Sequence, residues 1–233
     1  MGVMDKVSDT IYVGSLHTLS SPRDLARAGI THIVSLLRDE TALWDMSRVA
    51  ISTTSRGTST TSTTTIISPT VATNDNQVPM PTHFRHLHVQ IDDDDEEDII
   101  KYFAVVNSFI DHARSHGGNV LIHCIAGISR SVTVTMAYLL HESHAKTNQD
   151  IDNLLAHIKR RRPIANPNAS FREQLEIYVK EGCTITADSR YYRAWLERKY
   201  DEGIPLEFEI LPIPDFTPVR KFVVPYDKLT HKL

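Results

Sequence analysis

Apolar and polar positions change period several times along the chain. Residues 11–13 (Ile, Tyr, Val) form a short apolar run ending at Gly14-Ser15, which predicts a buried strand. Ser21-Pro22 places an N-cap before a proline at the first helical position, predicting a short helix that closes near Gly29. Residues 30–37 (ITHIVSLL) predict a second strand, and strand–helix–strand in that order predicts parallel pairing in an α/β layout. From 84 to 91, Leu87, Val89 and Ile91 alternate with His86, His88 and Gln90, the period of a strand. Ile99, Ile100, Phe103, Val106, Phe109 and Ile110 then recur at helical spacing until Gly117-Gly118. Residues 120–122 predict a compact buried strand that runs straight into HCIAGISRS, with a helix following at once through Leu140. Further helices are expected over about 150–161, stopped by Pro163, and about 168–180, with Gly182 just beyond. Residues 188–200 carry helical spacing at Tyr192, Trp195 and Leu196, whereas 204–233 hold five prolines and predict an extended tail, packed along the core or serving as a linker. The expected fold is α/β, a central mostly parallel sheet with helices on both faces and the HCIAGISRS loop at one strand's C-terminal end.

Composition changes this picture in one place. Residues 52–65 are all Ser or Thr except Arg56 and Gly57, a stretch with nothing to bury, so 47–78 is expected to be a disordered surface insertion. Its functional alternative is a phosphorylation target. Elsewhere, 41% hydrophobic and 23% charged residues match an ordinary globular chain. No apolar run is long enough for a membrane span, and the first residues lack the apolar core of a secretory signal. Two cysteines, Cys124 and Cys183, exclude a disulfide framework and fit a reducing cytoplasmic or nuclear setting. A net charge of −4 argues against DNA held by bulk charge. His86 and His88 share one strand face, and without a third ligand nearby they are read as the strand's polar face rather than a metal pair. The basic cluster 159–162 ends a helix, where it complements the helix dipole or contacts an acidic protein or ribosomal RNA.

The informative feature is the strand, the loop after it and the helix after that. Cys124 and Arg130 are separated by five residues, with Gly127 and Ser129 between them. Glycine permits a tight turn in which successive N–H groups, those of Ile125, Ala126, Gly127, Ile128, Ser129 and Arg130, converge on one point as an anion cradle. The helix N-terminus aims its positive dipole end at the same point. Arg130 adds a guanidinium fork for two phosphoryl oxygens. These fields favour a thiolate, so the Cys124 pKa is expected well below its free value. A loop that lowers a thiol pKa and binds a tetrahedral dianion implies nucleophilic attack on phosphorus.

Residues 123–131 resemble the signature loop of the protein tyrosine phosphatase superfamily, specifically the dual-specificity phosphatases. The resemblance covers about 6–182, which would form the phosphatase domain, with 183–233 as a C-terminal helix and Pro-rich tail. It includes Tyr12-Val13-Gly14-Ser15, the acid loop and helix from Ile91 to Phe103, and Pro167-Asn168 followed by Phe171, Gln174 and Leu175. Val89 to Asp98 and the stretch from Tyr192 to Trp195 are similar to fungal members of the YVH type, which carry a C-terminal zinc domain and are implicated in late 60S ribosomal subunit assembly. Nothing after Cys183 supplies a zinc ligand set, so zinc is not carried over.

The resemblance implies the protein tyrosine phosphatase-like fold and a metal- and cofactor-free mechanism. Cys124 forms a cysteinyl-phosphate, Arg130 and the loop amides hold the oxygens, and an aspartic acid protonates the leaving group. Counting back from Phe103 places that acid at Asp93, with Asp92 as its neighbouring candidate. Ser131 matches the hydroxyl that assists thiolate departure, His123 orients the cysteine backbone, and Asn168 braces the loop. Apolar Ile125, Ala126 and Ile128 favour a monophosphorylated protein side chain, phosphotyrosine or phosphoserine/threonine, over a polyphosphorylated lipid. A pre-60S ribosomal particle is the partner the YVH likeness implies, and an assembly factor acting by binding is the alternative function. Cys183 is a candidate resolving thiol for oxidised Cys124.

Overall fold

The computed structural model describes residues 3–38, 84–199 and 211–216, and the backbone of 221–224. The Ser/Thr-rich stretch expected over 47–78 lies outside the described residues, as does most of 204–233. The elements in chain order are β1 (Met4–Lys6), β2 (Ile11–Ser15), α1 (Pro22–Arg27), β3 (Ile30–Leu36), β4 (Arg85–Val89), α2 (Phe103–Ser115), β5 (Asn119–Cys124), α3 (Arg130–Glu142), α4 (Asn148–Arg161), α5 (Ala169–Lys180), α6 (Arg190–Lys199) and β6 (Lys221–Val224).

The six strands form one sheet in the order β1-β2-β5-β3-β4-β6. Among the described residues, only β1 runs antiparallel to its neighbour. The expected α/β fold with a mostly parallel sheet is therefore the observed one. Strand β5 is flanked by β2 and β3, so the loop after Cys124 leaves the carboxyl edge of an interior strand, where open α/β sheets place their ligands.

The two sheet faces are covered unequally. On one, Val13, Val34, Leu87, Val120 and Ile122 pack against apolar residues of α2 to α6 in a single buried cluster. On the other, Ile30, Ile33 and Leu121 join a smaller cluster with Leu37, Leu25 of α1 and Leu19 of a 3-10 turn at Leu16–Ser20. The helix after the loop, α3, is buried nearly all round, as a helix with apolar residues on every face must be. Its two buried threonines satisfy themselves locally: Thr133 Oγ1 donates to Ser129 O (2.9 Å) and Thr135 Oγ1 to Ser131 O (2.7 Å).

Sequence patterning did not disclose the two outermost strands. β1 has three residues, too few to show a period, and β6 lies among the prolines of the tail. β6 adds in parallel to β4, with His86 opposite Lys221 and Val89 opposite Val224. Just before it, Phe216 is buried and meets Phe109 of α2 edge-on, ring centres 5.1 Å apart.

Ile122 is fully buried in the middle of β5. Its truncation to alanine removes a core side chain beneath the loop and is expected to cost about 2–5 kcal/mol, read as a lowered urea midpoint with an unchanged denaturant slope.

Candidate active site

The strand–loop–helix unit brings the Gly127 and Ser131 amides onto the Cys124 sulfur. Gly127 sits at φ +69°, and a Cβ there would lie 2.4 Å from Gly14 O and 2.3 Å from Arg162 Nη2. Glycine is required for conformation and for space alike. Cys124 is 1% exposed, and its Sγ accepts from Gly127 N–H at 3.2 Å and lies 3.4 Å from Ser131 Oγ. Burial alone would push this thiol up. The Ser131 hydroxyl and amide, the Arg130 charge and the Gly127 amide outweigh it, so the pKa lies below that of a free cysteine.

Amides that turn inward leave carbonyls turned outward, and each has a donor. Leu16 N–H donates to Ile125 O (3.0 Å) and Asn166 N–H to Ile128 O (2.8 Å). Arg162 serves the two between them, with Nη2 to Ala126 O at 3.0 Å and Nε to Gly127 O at 2.6 Å. Its remaining nitrogen, Nη1, pairs with Asp5 of β1 at 2.8 Å. Arg162 thus stands apart from the rest of the basic cluster 159–162. Lys159, Arg160 and Arg161 are exposed, whereas Arg162 is 2% exposed and acts as a strut under the loop.

The structure separates the two acid candidates. Asp92 pairs with Arg38, away from the loop. Asp93 Oδ1 accepts from Ser129 Oγ (2.7 Å) and Asn168 Nδ2 (2.9 Å), and Oδ2 lies 3.8 Å from Arg130 Nε. Arg130 is 4% exposed, and its Nη1 donates to Ile91 O at 2.9 Å. Asn168 does three things at once. Its Oδ1 caps α5 by accepting from Phe171 N–H (2.7 Å), its own N–H donates to Ser129 Oγ (3.1 Å), and its amide holds Asp93. Cys124, Arg130, Ser131, Asp93, Ser129 and Asn168 therefore meet in one place.

His123 is fully buried, its pKa pushed down to about 4 by that burial. A neutral ring whose Nδ1 faces Cys124 O at 3.2 Å carries its proton there, because a carbonyl only accepts. Nε2 then accepts from Ser35 Oγ, and Ser35 in turn accepts from His86 Nε2 at 2.7 Å. The neighbouring His88 is fully buried and donates Nε2–H to Leu37 O at 2.8 Å. These contacts show what the polar face at His86 and His88 meets: buried hydrogen-bond partners on and just after β3. They belong to the support beneath the cysteine strand. Cys183 lies elsewhere, in a cavity of about 220 Å³ that it lines with Asn107, His141 and Tyr178. Burial raises its thiol to about 11 and its Sγ approaches Ala145 O at 3.7 Å, the opposite of the environment around Cys124.

With this geometry in view, comparison with known proteins is consistent with it. The family model described as dual specificity phosphatase, catalytic domain, matches residues 52–181. Tyrosine-protein phosphatase yvh1 of Schizosaccharomyces pombe is 36% identical over 159 residues, which are 68% of this chain and 44% of that protein. Dual specificity protein phosphatase 15 of Rattus norvegicus is 32% identical over 88% of this chain and 67% of its own length. Among solved structures, the Yvh1 phosphatase domain from Chaetomium thermophilum superposes with a TM-score of 0.54 at 25% identity, covering 79% of this chain and 99% of that domain. The chain belongs to the dual-specificity phosphatase family. It spans less than half of the fission yeast relative's length.

Two measurements test this construction. Arg162→Ala leaves two loop carbonyls and the Asp5 carboxylate unpaired. It is expected to destabilise the fold by about 3–5 kcal/mol and to abolish phosphate or vanadate binding in calorimetry, with Arg162→Lys a poor substitute because one ammonium cannot bridge three acceptors. For Cys124, the iodoacetamide alkylation rate is expected to level off at lower pH than for a free thiol, and Ser131→Ala to move that midpoint upward.

Proposed function

We propose that the chain is a cysteine-dependent protein phosphatase acting on phosphotyrosine and phosphoserine/threonine side chains. The observation that carries this reading is a thiol with a lowered pKa at the centre of an amide turn, with a carboxyl group held against that turn by Ser129 and Asn168. In the first step the Cys124 thiolate attacks phosphorus, a sulfur–phosphorus bond forms and the phosphorus–oxygen ester bond breaks. Protonated Asp93 gives its proton to the departing oxygen. Loop amides and the Arg130 guanidinium stabilise the charge on the equatorial oxygens. In the second step Asp93, now a carboxylate, takes a proton from water, which attacks phosphorus. The sulfur–phosphorus bond breaks, and the Ser131 hydroxyl donates to the thiolate as it leaves.

Ile125 and Ile128 are exposed at the loop, and no lysine stands among the loop residues to meet further phosphates. This supports a monophosphorylated protein side chain as substrate. A second reading makes the protein an assembly factor on the pre-60S particle, in the cytoplasm and nucleus, with catalysis dispensable. It draws on the YVH likeness and on the exposed cations Lys159, Arg160 and Arg161, a surface suited to acidic partners.

Cys124→Ser is expected to abolish aryl phosphate turnover while retaining phosphate affinity, and chelator to leave the wild-type rate unchanged. Asp93→Asn is expected to lower kcat by about 10²–10⁴-fold, with Asp92→Asn and Asp94→Asn far milder. Equal effects across the three aspartates would remove Asp93 from its role. Normal growth of cells whose only copy is Cys124→Ser would favour the assembly reading.

A further inference from the structure

The loop that carries Asp93 is anchored along its whole length. Arg38 pairs with Asp92 and with Glu97, the latter at 2.9 Å. Gln174 of α5 donates to Glu97 O at 2.8 Å and accepts from Ile99 N–H and Ile100 N–H at 2.8 and 3.0 Å. Two further anchors come from α6, which begins after the residues matched by the family model end. Tyr192 OH donates to the Asp98 carboxylate, both residues being buried. Lys199 Nζ donates to Asp95 O at 3.0 Å while lying over the Trp195 ring at 4.5 Å. α6 is itself held in place by Arg198 and Trp195 Nε1, which reach Glu173 of α5 at 2.8 and 3.3 Å.

A helix that only covered the core would bury apolar side chains here. Burying a phenol against a carboxylate, in a site whose desolvation already pushes the Asp98 pKa up, fixes a position at an electrostatic cost. Asp95 and Asp98 lie two and five residues beyond Asp93 in one short loop, so fixing them limits how far the Asp93 carboxyl moves relative to Ser129 and Arg130.

We propose that α6 is a positioning element for catalysis, in which Tyr192 and Lys199 hold the acid loop so that Asp93 meets the leaving oxygen. This rests on the reading of Asp93 as the general acid. Loss of acid positioning has a signature that loss of general stability lacks. A substrate with a poor leaving group needs the proton, whereas one with a good leaving group departs without it.

The test compares phenyl phosphate with 2,4-dinitrophenyl phosphate as substrates of the 233-residue chain and its Tyr192→Phe, Lys199→Met and double variants, with Asp93→Asn as reference. Thermal melts accompany each, and the milder single variants carry the test if the double variant unfolds. The expected result for Tyr192→Phe is a roughly tenfold loss of kcat/KM on phenyl phosphate and less than twofold on the dinitrophenyl ester, a fraction of the loss seen on removing the acid. Here kcat/KM reports the steps through cysteinyl-phosphate formation and is blind to the second step that Asp93 also serves. Equal losses on both substrates, or wild-type rates on both, overturn the proposal while a leaving-group-dependent Asp93→Asn leaves the acid assignment standing. An Asp93→Asn variant with no leaving-group dependence removes the acid assignment and this proposal with it.

Discussion

A turn that points its amides inward must point its carbonyls outward, and the polar contacts around the Cys124 loop answer that demand. Four consecutive carbonyls, Ile125 to Ile128, are met from Leu16 just after β2, from Arg162 twice and from the segment before α5. A buried carbonyl left without a donor costs about 1–3 kcal/mol, so a turn of this shape is stable only where the surrounding chain brings those donors. Asp5 closes the third side of Arg162 and supplies the opposite charge that a buried guanidinium needs as partner. The three-residue strand β1, negligible as secondary structure, thereby becomes part of the catalytic support.

Burial acts on the site in two directions. It opposes ionisation of Cys124, and it also strengthens each interaction that favours the thiolate, because the amide dipoles and the Arg130 charge act through little water. The net lowering of the pKa follows from donors fixed before the ligand arrives. His123 works by the same logic with the sign reversed. Burial keeps its ring neutral, and a neutral ring has one donor and one acceptor nitrogen, which is what a chain running from His86 through Ser35 to the Cys124 carbonyl requires.

Much of the fold was legible because the period of apolar residues is set by burial on one side of an element. The strands around 11–13, 30–37, 84–91 and 120–122 and the helices from Pro22 to α6 follow that pattern closely. The loop residues of the candidate site were legible too, because they form one continuous stretch whose chemistry is local. Asp93 was reached by counting and then separated from Asp92 only by geometry, since two adjacent aspartates differ in direction and not in type. Arg162 looked like one of four basic residues ending a helix, and nothing local marks the one that turns inward. Asp5 lies 157 residues away from it. His86 and His88 resembled a polar strand face because periodicity records which positions are polar, not whether a buried partner awaits them.

This division has a physical cause. A motif such as HCIAGISRS describes the inner surface of a site, the side that touches substrate. The outer surface, which holds the motif in shape, is assembled from whichever distant residues the fold brings up: Asp5, Ser35, Arg38, Arg162 and Gln174. Two chains can then share the motif and differ in catalytic competence, because the amides point inward only while their carbonyls are satisfied from outside. The presence of Cys124 and Arg130 thus identifies the chemistry available to this chain. The strut, the histidine relay and the anchors of the acid loop determine how well that chemistry is held ready.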